Sequence, residues 1–457
     1  MTTPDAAHWQ AMGRTADPLA DRTVAVLVGP WTDTDGAVSG PGAARLAAAT
    51  RLMATWTTNA SLADWAPPPD ADPEVAAILA AYLDEGRRLP EWVRPADIER
   101  AEALFMAYGP LSCTLLFCAS LPECYVLPHL AEVLHAAGQL EAHTEHRIRQ
   151  TAAMVFPVMM KGGLLQPDGC GVAQVLKVRL IHATIRHLIL RGEPGTVHGE
   201  VGARPHPGPR ASMHQALVAH GWSVARQGVP CSQTELAYTL LTFHYVFLRG
   251  LRQLHEPIPP EDETAFLHAW NVAGHVLGIR SELMPADMAE AERMFETIQA
   301  LTLAQPARRD VRPGLGRALM DAMARSIRVP VLRSLPVPIT RWLVGPATAA
   351  AIGADERVGL PARMLFATGL ALTRGVDGLL RIVWPRFSLV RLFTRAVGYH
   401  LMSRFLLDQT RPLNLPQALL DPMHDTIAGW HQDPHAPRWA HHLEDRLTTV
   451  GPWKAVR

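Results

Sequence analysis

Apolar residues in this chain recur at helical spacing almost throughout. Almost nowhere do apolar and polar residues alternate with the period of two that a half-buried strand requires. Segments 72–85, 95–107, 140–160, 171–191, 233–254, 260–277 and 285–303 each carry the helical pattern, and Pro and Gly separate them. Asp287 followed by Glu290 opens the last of these as a capping box. The only strand-like stretches, 23–28 and 327–332, are short. The expected architecture is therefore all-α. Pro and Gly cluster at 192–209, 305–316 and 411–422, which suggests an N-terminal extension (1–55), a main helical domain (56–305) and a C-terminal helical region (306–457). No internal repeat and no sustained heptad is visible.

Composition narrows the function classes. Apolar residues make up 48 %, enough for a large core. Lys+Arg and Asp+Glu are 43 each, so the net charge is zero and a general nucleic-acid binder is set aside. Only Lys161, Lys177 and Lys454 are lysines, which leaves Schiff-base chemistry almost nothing to work with. The five cysteines form no CxxC pair, so neither a disulfide framework nor a zinc site of ordinary spacing is expected. P-loop, Rossmann, GxSxG and HExxH motifs are absent. With 21 histidines and few alternatives, the histidines are where chemistry is sought.

The first residues show no basic n-region, apolar h-region or twin-Arg pair, and the expected placement is cytoplasmic. Two segments leave peripheral membrane contact open. Residues 103–122 run without a charge, long enough to span a bilayer. They hold Gly109, Pro110, Ser112 and Ser120 between Glu102 and Glu123, and read as a buried core helix. Residues 384–407 set Arg386, Arg391, Arg395 and Arg404 among Trp, Phe and Leu, a pattern for a membrane surface or for the protein's own core.

Residues 171–191 carry the sharpest signal. On a helix His182 shares a stripe with Val175, Val178, Ile185 and Ile189, so the imidazole lies on the apolar face. There it is either a satisfied core histidine or an axial metal ligand. Arg179 and Arg186 lie on the same face, and two guanidinium groups beside an apolar stripe need anions. Those anions are either carboxylates of a bound cofactor, such as haem propionates, or Asp/Glu from another helix. In 145–155, Arg147 and Thr151 are four apart and face the same way, either as a cation and a hydroxyl above an apolar pocket that could hold dioxygen or a polarised intermediate, or as a plain surface pair. His268 and His275 read as core or pocket lining, His244 as an apolar-helix histidine, and His435, His441 and His442 as solvated.

At this point the chain resembles the latex clearing protein and MpaB-type oxygenases, the rubber-oxygenase catalytic domain. KVRLIHATIRH contains the family's R-x-x-H-x-x-x-R-H pattern as Arg179, His182, Arg186 and His187. HRIRQT from His146, SLPECYVLP from Ser120, and the blocks beginning at Gly228 and Phe266 support it, over roughly residues 100–300. The resemblance implies an all-α, globin-like core binding b-type haem. His182 matches the proximal iron ligand, Arg147 and Thr151 the distal polar residues, and Arg179, Arg186 and His187 positions around the haem. It also implies an oxidoreductase that uses O₂ to cleave carbon–carbon double bonds of an isoprenoid, leaving carbonyl ends. Two positions depart from the family. Gln150 stands where the latex clearing protein has a distal Lys. The family's catalytic Glu has its nearest match in Glu132, one residue out of register, with Glu141 and Glu145 competing. Polyisoprene and a smaller isoprenoid or unsaturated lipid both remain open as substrate. A haem-binding sensor or carrier, or a membrane-associated helical protein, is the alternative reading.

Overall fold

The computed structural model describes residues 4–31, 40–138, 144–191, 200–201, 213–256, 258–305, 309–326, 333–355 and 358–380, with the single positions 382, 388, 389 and 442. Nineteen α-helices follow one another among these residues. They are α1 (Ala6–Met12), α2 (Pro18–Val28), α3 (Gly40–Met53), α4 (Asn59–Ala63), α5 (Pro73–Gly86), α6 (Pro95–Leu115), α7 (Leu121–Val126), α8 (Pro128–Gly138), α9 (Thr144–Met159) and α10 (Gly171–Leu190). Then come α11 (Met213–His220), α12 (Val224–Gln227), α13 (Gln233–Phe243), α14 (Tyr245–Gln253), α15 (Pro260–Val276), α16 (Met288–Leu303), α17 (Arg312–Ser326), α18 (Pro336–Ala351) and α19 (Leu360–Leu380). Two strands of two residues each, Glu200–Val201 and Trp222–Ser223, pair antiparallel. The fold is all-α, as the spacing of apolar residues predicts.

Local signals place most helix starts. Asp17 before Pro18, and Asp72 before Pro73, cap α2 and α5 with side-chain oxygens on backbone N–H groups. Ser232 and Glu235 form a reciprocal capping box at α13. Asp287 accepts from Glu290 N at 2.8 Å at the start of α16. The strand-like stretch 23–28 is corrected: it lies inside α2, with Val24, Leu27 and Val28 buried. The Asp-Pro start and the buried face outweigh a β-branched penalty of only a few tenths of a kcal/mol per residue. The stretch 327–332 and nearly all of 384–407 lie outside the described residues.

Two apolar runs break where their chemistry demands it. Gly109 takes φ 36, Pro110 lacks an N–H, and the arms Pro95–Gly109 and Leu111–Val126 meet at 90°. A π-helical stretch, Leu116–Ser120, then leads into α7, and all of its residues are buried. Among the described residues no single helix is long and apolar enough to cross a membrane. The run 233–254 divides at His244 into α13 and α14.

Most of the buried apolar residues join one cluster, which takes in Trp9, Val24, Phe105, Leu176, Phe266 and Leu343. The segment 1–55 thus supplies core helices. Trp9 alone contributes roughly 2–3 kcal/mol on burial. From the other end of the chain, α17 and α18 pack against α7. A smaller cluster gathers the C-terminal half of α10, through Leu188 and Ile189, with Val133 of α8, Leu217 of α11 and Trp222.

Candidate functional site

Helix α10 is the axis of the site. It packs on α2, α9, α11 and α15, and carries Arg179, His182, Arg186 and His187 within nine consecutive residues. Both arginines have their anions inside the protein. Arg179 donates to Asp17 in bidentate fashion, Nε to Oδ2 at 2.5 Å and Nη2 to Oδ1 at 2.7 Å, and Nη1 donates to the Val276 carbonyl at 3.1 Å. Arg186 is fully buried. Its Nη1 donates to Asp21 Oδ1 at 2.5 Å, and Nε and Nη2 donate to the carbonyls of Pro230 (2.9 Å) and Cys231 (2.8 Å). Cys231 holds φ 52, a left-handed conformation costly for a side-chain-bearing residue, in the turn that offers Arg186 its carbonyl. One turn beyond, Arg191 donates to the carbonyls of Val28 and Gly29 at the C-terminal end of α2.

Helix α2 therefore runs alongside α10 in the same direction, joined by three arginines. Of the two anion sources open in the sequence, the structure supplies the protein's own carboxylates for Arg179 and Arg186. His187 is buried beside the same acid, with Nε2 3.6 Å from Asp21 Oδ1, and lies edge-on to Trp31 at 4.7 Å. Burial, opposed by Asp21, lowers its pKa.

His182 is different. Its Nδ1 is sealed from solvent and has no hydrogen-bond partner among the described residues. Desolvation, reinforced by the charge of Arg186, lowers its pKa to about 4, so the ring is neutral at physiological pH. Yet the residue as a whole is only half-buried. The ring therefore sits at the edge of the core, with Nδ1 sealed and part of the residue reachable. Val178 and Ile185 are half-buried beside it, and Ile181 is 42 % exposed, so an apolar strip of α10 flanks the imidazole. Among the described residues no group of three or more His, Cys, Asp or Glu side chains converges on a metal position. A group that brings its other ligands with it, such as a porphyrin iron, would need only one protein nitrogen of this kind.

The remaining sequence candidates fall on neighbouring helices. Thr151 is half-buried on α9, the helix packed against α10, and Gln150 is exposed. Arg147 lies in the same helix, one turn before Thr151; its side chain is outside the described residues. Glu145 is in the same position, and Glu141 is undescribed altogether. Glu132 of α8 is buried in a polar cluster that spacing alone did not single out. Gln227 Nε2 donates to Glu132 Oε2 at 2.6 Å, and His220 Nε2 lies 3.4 Å from Oε1. His129, one turn before Glu132, is 3.5 Å from Gln227 and 3.1 Å from Gln305. Of this cluster, only the i, i+3 spacing of His129 and Glu132 is local in the sequence; Gln227 and His220 come from distant segments. The smaller apolar cluster, which includes Ile185 at its margin, brings α8 to the C-terminal half of α10.

His268 accepts from Arg94 N at 2.9 Å and, with His275, flanks Trp92, which is a capping and packing role. His244 is fully buried, and both its ring nitrogens are unpartnered among the described residues. His442 is exposed, and His435 and His441 lie outside the described residues.

The family described as ER-bound oxygenase mpaB/B'/Rubber oxygenase, catalytic domain, matches residues 102–375. The chain belongs to this oxygenase family. The family segment starts in α6 and ends in α19, so it contains α10 and all the candidate residues named above. Asp17 and Asp21, the acids that pair the two motif arginines, lie before it. A rubber oxygenase of Streptomyces sp. (strain K30) is 24 % identical over 318 residues, 59 % of this chain and 70 % of that protein. Among solved structures, the latex clearing protein LCP in the closed state matches with a TM-score of 0.58 and 18 % identity, over 92 % of this chain and 90 % of that one. That likeness shows the helical fold.

Proposed function

We propose that this oxygenase-family chain holds b-type haem on His182 and uses O₂ to cleave a carbon–carbon double bond of an isoprenoid, either polyisoprene or a smaller isoprenoid or unsaturated lipid. The observation that carries the reading is the state of His182: neutral, sealed at Nδ1 and reachable along an apolar strip. Bound haem would supply the O₂ chemistry. The chain's own residues have narrower tasks. The accessible Val178, Ile181 and Ile185 offer an apolar wall for both the cofactor's rim and a hydrocarbon substrate. The Thr151 hydroxyl, with Arg147 one turn away, supplies polar contacts from α9. Glu132 is the proposed proton acceptor. Gln227 holds its Oε2, so an arriving proton goes to Oε1, where His220 lies within 3.4 Å to receive it.

The test is the visible spectrum of the purified full-length chain loaded with haem, together with O₂ consumption on an oligoisoprenoid and mass spectrometry of carbonyl products. A Soret band near ~410 nm, the region of protein-bound haem, is expected. His182→Ala should lose the band and the activity together, and Glu132→Gln should keep the band and lose turnover. His182→Ala protein with full haem content and activity would end the proposal. A band without O₂ consumption on any isoprenoid would point instead to a carrier or sensor.

A further inference from the structure

Helix α19 meets the rest of the protein on one side only. Its inward face carries Ala362, Phe366, Thr373 and Asp377. Phe366 packs near Trp342 of α18, and the buried Asp377 accepts from Leu389 N at 2.5 Å. At about 100° per residue, Leu360, Met364, Leu365, Leu372 and Leu379 fall together on another face, within an arc of roughly 140°. Among the described residues nothing covers them: Leu360, Met364, Leu372 and Leu379 are 59–72 % exposed. No ionisable residue of α19 falls within that arc. Ile382, just past the helix end, continues it and is exposed too.

The charges are placed with equal bias. Arg363 and Arg374 are the only basic residues of the helix, both are exposed, and both lie along the same flank of the apolar arc. Arg374 is held there by the Trp342 ring, 5.5 Å from its centroid, and by the Gln253 carbonyl at 3.1 Å. The one acid on the helix is buried and engaged. An uncharged greasy stripe about 30 Å long at 1.5 Å per residue, edged by cations with no exposed anion, complements an anionic lipid surface. A second protein chain would ordinarily present polar groups for the rim of such a patch to meet.

We infer that α19 lies in the plane of an anionic bilayer, with Leu360, Met364, Leu372 and Leu379 in the acyl boundary and Arg363 and Arg374 at the headgroups. Membrane docking of this kind does not depend on the reaction at His182. It involves no spanning segment.

The experiment is co-sedimentation of the full-length chain with phosphatidylcholine vesicles, with and without about one third phosphatidylglycerol, alongside size-exclusion chromatography without lipid. The full chain should partition onto the anionic vesicles and only weakly onto the neutral ones. The variant Met364→Glu/Leu372→Glu/Leu379→Glu changes exposed positions only and should melt like the parent. It should lose at least ~100-fold in partitioning, because each buried apolar side chain carries more than a tenfold share. Arg363→Glu should lower anionic binding several-fold and leave neutral binding unchanged. Binding that survives the triple substitution would overturn the inference, as would failure of the parent to sediment with anionic vesicles. A parent dimer that the triple variant converts to monomer, with no lipid binding, would overturn it in favour of a contact between copies.

Discussion

Removing Asp21 tests how α10 is held. The Arg186 guanidinium is fully buried, and Asp21 is the carboxylate that faces it, at 2.5 Å. Taking away one partner of a buried pair costs about 3–5 kcal/mol, because an uncompensated charge remains in the interior. Arg186 keeps the Pro230 and Cys231 carbonyls, so Asp21→Ala should fall near the lower end, about 3 kcal/mol. Unfolding entropy near 2.1 cal/mol/K per residue over 457 residues is about 1 kcal/mol/K, so the melting midpoint should drop by about 3 °C. Thermal melts by far-UV circular dichroism would read this, and added salt should change the difference little, since buried pairs are weakly screened. Asp17→Ala should cost about as much, roughly 3 kcal/mol, because it removes the α2 N-cap together with the bidentate partner of Arg179, although Arg179 reaches some solvent and keeps the Val276 carbonyl. The double variant Asp21→Leu/Arg186→Met should recover most of the loss. An Asp21→Ala protein that melts within about 0.5 °C of the parent would show that something other than this acid neutralises Arg186, with the buried Glu235 the first suspect, and would refute the clamp.

Three further outcomes follow from buried titratable groups and from the proposed role of His182. His244 is held at about 3 by desolvation and has both nitrogens unpartnered, whereas in the unfolded chain it protonates near 6.5. Its folded pKa is the lower one, so stability is intact above pH 6.5 and drains away as the pH falls below it, by up to about 1.4 kcal/mol per unit. His244→Phe should match or exceed the parent at pH 7 and lose less in urea titrations at pH 4.5; parallel profiles would contradict this. Glu102 is raised to about 7, chiefly by burial. The sign is opposite to that of an ordinary paired acid: the carboxyl is comfortable below pH 4.5, and stability is lost as the pH rises towards 7. Glu102→Gln, which keeps an acceptor for Gly162 N, should therefore gain about 2 kcal/mol at pH 8 and nothing at pH 4.5. Equal gains at both pH values would disprove the titration. His182→Gln should keep the apo-protein fold but lose haem retention on gel filtration, because an amide is a poor iron ligand.

The helices were legible because their signals are local. Asp72-Pro73, Ser232…Glu235 and Asp287…Glu290 each lie within four residues of the bonds they make, whereas Asp17-Pro18 is just as local but the β-branched run 23–28 behind it reads as strand-like, so α2 was missed. The break at Gly109-Pro110 was written in the same short-range chemistry, although its 90° turn was not. The break at His244 was less visible, since 233–254 keeps one helical period across it. Of the site, the face of α10 that holds His182 followed from periodicity. The partners of its arginines did not, because Asp17 and Asp21 lie 162 and 165 residues away in sequence. Nor did the Glu132–Gln227–His220 cluster, which joins three helices.

The amino-acid order alone determined that this chain is helical, where several of its long helices lie, and which side of α10 is apolar, since backbone propensity and 3.6-residue periodicity act over one or two turns. The tertiary structure decided which charges neutralise Arg179 and Arg186, that α1, α2 and α3 join the core, and that one side of α19 is left bare by the other described residues. Each of those depends on which helix lies beside which, and that is set by packing the whole core at once rather than by any single stretch of it.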